Sequence, residues 1–141
     1  MSLPMSYRTE YRWTGNDVEG EETMPGYPPV AVGSPNGGKN LDPEHLFVAA
    51  AEVCLANTFF FFAEKTRLDV KSYRSTSDAE LEPAPGGGFR FKGIVIRPVI
   101  EVSAESSDRA NQMIDRAHRY CLVSRSMSCP VRVEAEITPG A

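Results

Sequence analysis

Two cysteines far apart in the chain, Cys54 and Cys121, are the residues with the most chemical reach. Cys54 lies inside LDPEHLFVAAAEVCLANTFFFFAEK, an almost wholly apolar run with helical character, and Cys121 ends a second helical stretch, SSDRANQMIDRAHRYCLVSRSM. A free thiol packed among Ala, Val and Leu behaves as a small inert hydrophobe. A thiol that meets a second thiol, close to a group that favours the thiolate, does redox chemistry instead. Position alone leaves both readings open, and a bridge requires the two Cα atoms to come within about 7 Å. Glu52, two residues before Cys54, reads as a partly exposed or interfacial polar group. A carboxylate beside Cys54 raises the thiol pKa and works against the thiolate. His118, Cys121 and Cys129 suggest zinc through their His-x-x-Cys step. His45 is the only other histidine, so the four ligands of a structural site are not supplied. Cys129, before Pro130, reads as structural. The run Phe59–Phe62 reads as core, or as rings lining an apolar pocket.

The elements that must position these residues follow from the pattern. Tyr7–Trp13 alternates as a strand, with Tyr7, Tyr11 and Trp13 on one face. GNDVEGEE supplies turn residues and charge, and Pro25, Pro28, Pro29 and Pro35 exclude long helices after it. Pro29–Gly33 fits a short edge strand, and SPNGGKN a flexible connector without phosphate-loop spacing. Asp42 is a good N-cap, with Pro43 at the first helical position and Glu44 at the positive end of the dipole. The helix that follows runs to about Arg67. It is apolar on nearly every face and has to be surrounded, which a domain of this size does best as a homodimer with the helix at its centre. Asp69–Glu82 reads as a polar strand, PAPGGG as a turn, and FRFKGIVIRPVIEV as the returning apolar strand. Phe89, Phe91, Ile94, Ile96, Val99 and Ile100 are its expected core residues. Ser106 or Ser107 caps the second helix, where Ala110, Met113, Ile114, Ala117 and Cys121 recur at helical spacing. A helical turn over LVSRSM and one closing strand, VRVEAEIT, complete an α+β chain with an antiparallel sheet on two main helices.

Length and composition set the limits. The 141 residues fit one domain, 1–141, with residues 1–5 unstructured or a cloning remnant before Met5, and residues 14–41 rich in turns and loops. A hydrophobic share of 41% supports a core, and the net charge of −4 argues against nucleic acid and anionic membrane as partners. Leu46–Ala63 approaches the length of a membrane span. Glu52, Asn57 and Thr58 interrupt it, and a buried core helix is expected instead. Without a basic-then-apolar leader, three cysteines point to a reducing compartment, and a cytoplasmic location is expected.

In this order of elements the sequence resembles the OsmC/Ohr family of thiol-dependent hydroperoxide reductases. The resemblance rests on LDPEHLFVAAAEVCLANTF, on the strand hairpin after Asp69–Val70, and on the AHRYCLVSRSM and VEAEI endings, from about Lys39 to Thr138. The family starts its helix with an Asn-Pro-Glu-x-Leu pattern, places a cysteine about ten residues after that Glu, and ends its second helix in Cys-x-x-Ser. Glu44 to Cys54 and Cys121-Leu-Val-Ser124 match. The resemblance implies antiparallel sheets wrapped around long central helices in an intertwined homodimer, with active sites at the subunit interface. It implies Cys54 as the peroxidatic thiolate and Cys121 as the resolving thiol. The substrate is then a small organic hydroperoxide and the reductant an external dithiol, with no other cofactor and no metal. In the family, an arginine before the helix, held by the Glu matching Glu44, activates the thiolate. This chain has no arginine between Arg12 and Arg67. Lys39 is the only base in the loop before the helix, and Lys39, Arg12 or Arg125 would have to substitute.

Two other functions compete. The missing arginine motivates an OsmC-like protein that has lost peroxidase activity and binds a small apolar molecule. A long apolar helix wrapped by sheet also suits a hot-dog-type thioesterase with Glu44 or Glu52 as its carboxylate. The two-cysteine pattern and the helix before the final strand argue against that third reading.

Overall fold

The apolar run folds as one helix, α1, Pro43–Lys65, in a computed structural model that describes residues 2–36 and 38–140. Met1, Gly37 and Ala141 lie outside the described residues, and with them one position each of the N-terminal stretch 1–5, the glycine-rich connector and the end of the expected domain. Asp42 caps α1: its Oδ1 accepts the His45 N–H at 2.7 Å, and its carboxylate meets His45 Nδ1 at 2.9 Å. The hydrogen bond from the His45 backbone, then the one from its ring, hold the Asp42 carboxyl below the usual range. At the other end the Leu68 N–H bonds the Ala63 carbonyl at 2.8 Å and the Arg67 N–H bonds that of Glu64 at 3.1 Å, with Arg67 left-handed at φ 55°. This is a Schellman stop with arginine where glycine is usual.

The chain divides into two compact units, Met1–Phe47 and Val48–Ala141, and the division falls within α1. The first unit holds a three-stranded antiparallel sheet of β1 (Glu10–Trp13), β2 (Gly20–Thr23) and β3 (Val30–Val32), with β2 central. The expected strand at 7–13 shortens to 10–13. The polar GEET segment, expected to be part of a turn, is the central strand. Its backbone pairs on both sides whatever its side chains prefer, a case of tertiary pairing overriding weak β-propensity.

The second unit is built on a long hairpin of β4 (Val70–Pro83) and β5 (Phe89–Ser103). Gly86, Gly87 and Gly88 turn it with φ of 85°, 112° and 72°, where a side chain would be strained. The buried face of β5 is Ile94, Ile96, Pro98, Ile100 and Val102. Two expected core residues are thereby corrected. Phe89 is exposed, and Val99 falls on the opposite face, because the period of two puts Pro98 in phase with the isoleucines.

From β5 the chain passes through a 3-10 turn (Ala104–Ser106), α2 (Ser107–Tyr120) and the short α3 (Leu122–Arg125). Ser106 is the N-cap residue of α2, but its hydroxyl accepts from Ser103 instead of capping the helix. Ala110, Met113, Ile114 and Ala117 of α2 are buried as expected. The single closing strand proves to be two, β6 (Val131–Val133) and β7 (Glu136–Gly140), and both run parallel to β5 on the edge away from β4. The sheet is therefore mixed. A helical crossover returns the chain to the end of β5 where that strand began, so the next strand must run parallel. The class is α+β.

Only one stripe of α1 is buried within the chain: Ala51, Leu55, Thr58, Phe59 and Ala63. Leu46, Val53 and Phe60 are exposed on another. By length and composition α1 could cross a membrane, and 28% of its apolar window is covered.

Candidate active site

The site lies in the second unit, where α1, β4 and the break between α2 and α3 meet. Cys54 is half-buried on α1. The Thr58 hydroxyl, one turn on, donates to the Cys54 carbonyl at 2.7 Å and lies 4.0 Å from its sulfur. Cys121 is 1% exposed and ends α2 with extended backbone, at φ −64° and ψ 111°. The helix breaks there and restarts as α3, so the thiol turns inward while Ser124 folds back over it.

The two thiols act on each other. Burial pushes the Cys121 thiol up, hydrogen bonds from the Ser124 side chain and backbone pull it part of the way back, and the neighbouring Cys54 sulfur pushes it up again by hydrogen bond and charge. The net effect favours the protonated Cys121 thiol. Both thiols are free, and the fold brings Cys54 close enough to bear on the Cys121 proton.

Glu44 is not part of this cluster. It lies ten residues before Cys54 on the same helix, about 15 Å of rise, and its buried Oε1 has no hydrogen-bond partner among the described residues. Arg12 pairs with Glu21 of its own sheet at 3.4 Å, and among the described residues no Lys, Arg or His hydrogen-bonds either sulfur. Cys129 is half-buried outside the pair, and the described residues contain no His, Cys, Asp and Glu cluster able to hold a metal.

Two groups that sequence reasoning set aside or missed meet where α1 packs on β4. Glu52 accepts a hydrogen bond from Ser75 on β4. Tyr73, on the same face of β4, packs its ring against Phe59 and Phe60 at centroid distances of 5.5 and 5.4 Å. Its hydroxyl is buried without a hydrogen-bond partner among the described residues. Desolvation, then the charges of Glu52 and Cys121, push its pKa up to about 12. The signal was present in the sequence as the alternation Tyr73, Ser75, Ser77, a polar row on the inward face of a strand. A separate cleft of about 470 Å³ lies over β4, β5 and β6 and contains no thiol. Its arginines are engaged with acids, Arg97 with Asp78 and Glu134, and Arg132 with Glu134.

The sequence pattern of the family described as OsmC-like protein matches residues 36–136. This chain belongs to the OsmC-like family. Its similarity to solved OsmC-like structures extends to nearly the whole fold. An OsmC-like protein of unknown function from Vibrio cholerae superposes with a TM-score of 0.83 at 22% identity, covering 94% of this chain and 99% of that one. A protein from Legionella pneumophila described as an organic hydroperoxide resistance protein OsmC superposes with a TM-score of 0.73 at 20% identity, covering 97% and 99%. In sequence, an uncharacterized protein of Acinetobacter baylyi is 27% identical over 114 residues, 80% of this chain and 76% of that protein.

Proposed function

We propose that this OsmC-like protein is a thiol-dependent peroxidase that reduces organic hydroperoxides to alcohols. The observation that carries the proposal is the pairing of Cys54 with Cys121 across the fold. The Cys54 thiolate attacks the terminal peroxide oxygen, the O–O bond breaks, and the alkoxide leaves and is protonated to the alcohol. Cys54 becomes the sulfenic acid. Cys121 then attacks that sulfur, forming the disulfide and releasing water, and an external dithiol reduces the bridge. The apolar, Phe-rich run of α1 that carries Cys54 favours an alkyl hydroperoxide over hydrogen peroxide, because an alkyl tail gains from burial. The protein works without a metal or organic cofactor, in the cytoplasm, as one OsmC-like domain over residues 1–141. It acts as a homodimer in which the exposed stripe of α1 is covered by a second copy. Glu44 serves the active site from the subunit across the interface, since along its own helix it is out of reach of Cys54.

The test is the thiol count of the reduced protein before and after one equivalent of cumene hydroperoxide, with mass spectrometry to locate any bridge. Rapid loss of two thiols with a Cys54–Cys121 disulfide, abolished by Cys54→Ser, is the expected result. Unchanged thiols over minutes would remove the proposal. That no Lys, Arg or His among the described residues hydrogen-bonds Cys54 favours a second reading in that event, an OsmC-like binder of small apolar molecules. Thermal stabilisation by a fatty acid, with no peroxide consumed, is its mark.

A further inference from the structure

The cleft over β4, β5 and β6 is built by two departures from a regular sheet. By the period of two, Lys92 belongs with Ile94 and Ile96 on the buried face of β5. The register of the hairpin slips beside it: Glu80 pairs with Gly93, Leu81 pairs with Phe91, and Lys92 is the extra residue of a bulge. A bulge re-aims the residue it inserts, and Lys92 is exposed and lines the cleft. Gly93 supplies the second departure. A Cβ there would stand 3.3 Å from the Pro130 carbonyl oxygen and 3.6 Å from its ring, so the glycine both lets β6 approach and leaves the floor of the cleft open. Val95 and Pro130 add apolar surface, and the volume of about 470 Å³ is that of a small-molecule site.

The charges decide what fits. Arg97 is held by Asp78 at 2.6 Å and by Glu134 at 3.2 Å, and Arg132 by Glu134 at 2.9 Å. These two cations and two anions satisfy each other. Lys92 and Glu80 remain, one of each sign, and among the described residues neither side chain has an ion pair or a hydrogen bond. They line the same cleft on neighbouring strands and still do not pair with each other. A simple anion gains at Lys92 and loses at Glu80, and a simple cation does the reverse, so the cleft rejects both. We infer that it binds a neutral zwitterion with a free ammonium and a free carboxylate, of amino-acid to short-peptide size. Glu80 accepts from the ammonium, Lys92 donates to the carboxylate, and the apolar body lies over Gly93, Val95 and Pro130. The inference does not depend on the redox reading of Cys54 and Cys121.

The experiment is a titration of the reduced, isotope-labelled full chain followed by NMR. The probes are alanine, dialanine and trialanine with free termini. Each is paired with its N-acetylated form, which keeps only the carboxylate, and its amide, which keeps only the ammonium. The expected result is a saturable shift of the Lys92, Gly93 and Arg132 amides at millimolar concentration by at least one free-ended probe. That probe binds about fivefold more tightly than either of its blocked forms, the range of one exposed ion pair. Which of the three lengths binds best separates an amino-acid site from a peptide site. Glu80→Gln removes the advantage over the N-acetylated form, and Lys92→Gln the advantage over the amide. Arg90→Gln removes a charge paired with Glu82 on the same hairpin outside the cleft and leaves every affinity unchanged. Absence of saturable shifts at the cleft overturns the inference, as does equal affinity for free-ended and blocked probes. Equal losses in Arg90→Gln also overturn it, by showing a general effect of charge.

Discussion

Burial pushes the Cys121 thiol up, and the direction of that effect makes Cys121 a stability sensor. Its folded-state pKa is raised, so the native protein holds a proton that the unfolded chain gives up first. The stabilisation is complete below the thiol's unfolded pKa, about 8.5, and is lost as pH rises from there through the folded pKa. Urea unfolding between about pH 7.5 and 10 should therefore show wild type losing stability with rising pH. Cys121→Ala should start less stable, having lost a buried side chain, but decline less steeply. A slope identical to wild type would show that Cys121 does not titrate in this range. Cys54 and Cys121 were legible as candidates from the Glu44-to-Cys54 spacing and the Cys-x-x-Ser ending. The buried Tyr73 hydroxyl was not, because a strand's sequence does not name its neighbours.

Among the elements, the end of α1 carries the most readable strain. Arg67 occupies the left-handed position of a Schellman stop, where a side chain crowds its own carbonyl. Arg67→Gly should relieve that and raise stability by about 1 kcal/mol, read as a higher urea midpoint at constant m. A lower midpoint would mean that the arginine side chain holds contacts worth more than the strain. The α1 cap at Asp42, the phase of α2 and the isoleucine face of β5 were all evident from spacing. The polar β2 strand and the two parallel strands β6 and β7 were not. Strand direction depends on which end of the sheet a crossover returns to, and pairing on both edges can make a strand from residues with little preference for one.

For the whole molecule, the uncovered face of α1 is the decisive feature. Val53 is 57% exposed and Phe60 44% on a helix whose mean composition belongs in a core. In the proposed homodimer these side chains meet a second copy. Val53→Glu should then shift the protein from dimer to monomer in light scattering at micromolar concentration while leaving the hairpin and α2 folded. A dimer that survives this substitution would place the interface elsewhere.

The sequence by itself determined the family, the α+β class, the capped apolar helix and the two thiols, because each is written in local spacing: helical period, cap residues and a short motif. The tertiary structure alone decided that Cys121 comes under the influence of Cys54, that the Tyr73 hydroxyl is buried without a partner among the described residues, and that one stripe of α1 is buried while another is left bare. These are relations between segments distant along the chain. Each is set by the register of β4 on β5, the break at Cys121 and the crossover through α2, and no local pattern encodes where such segments will cross.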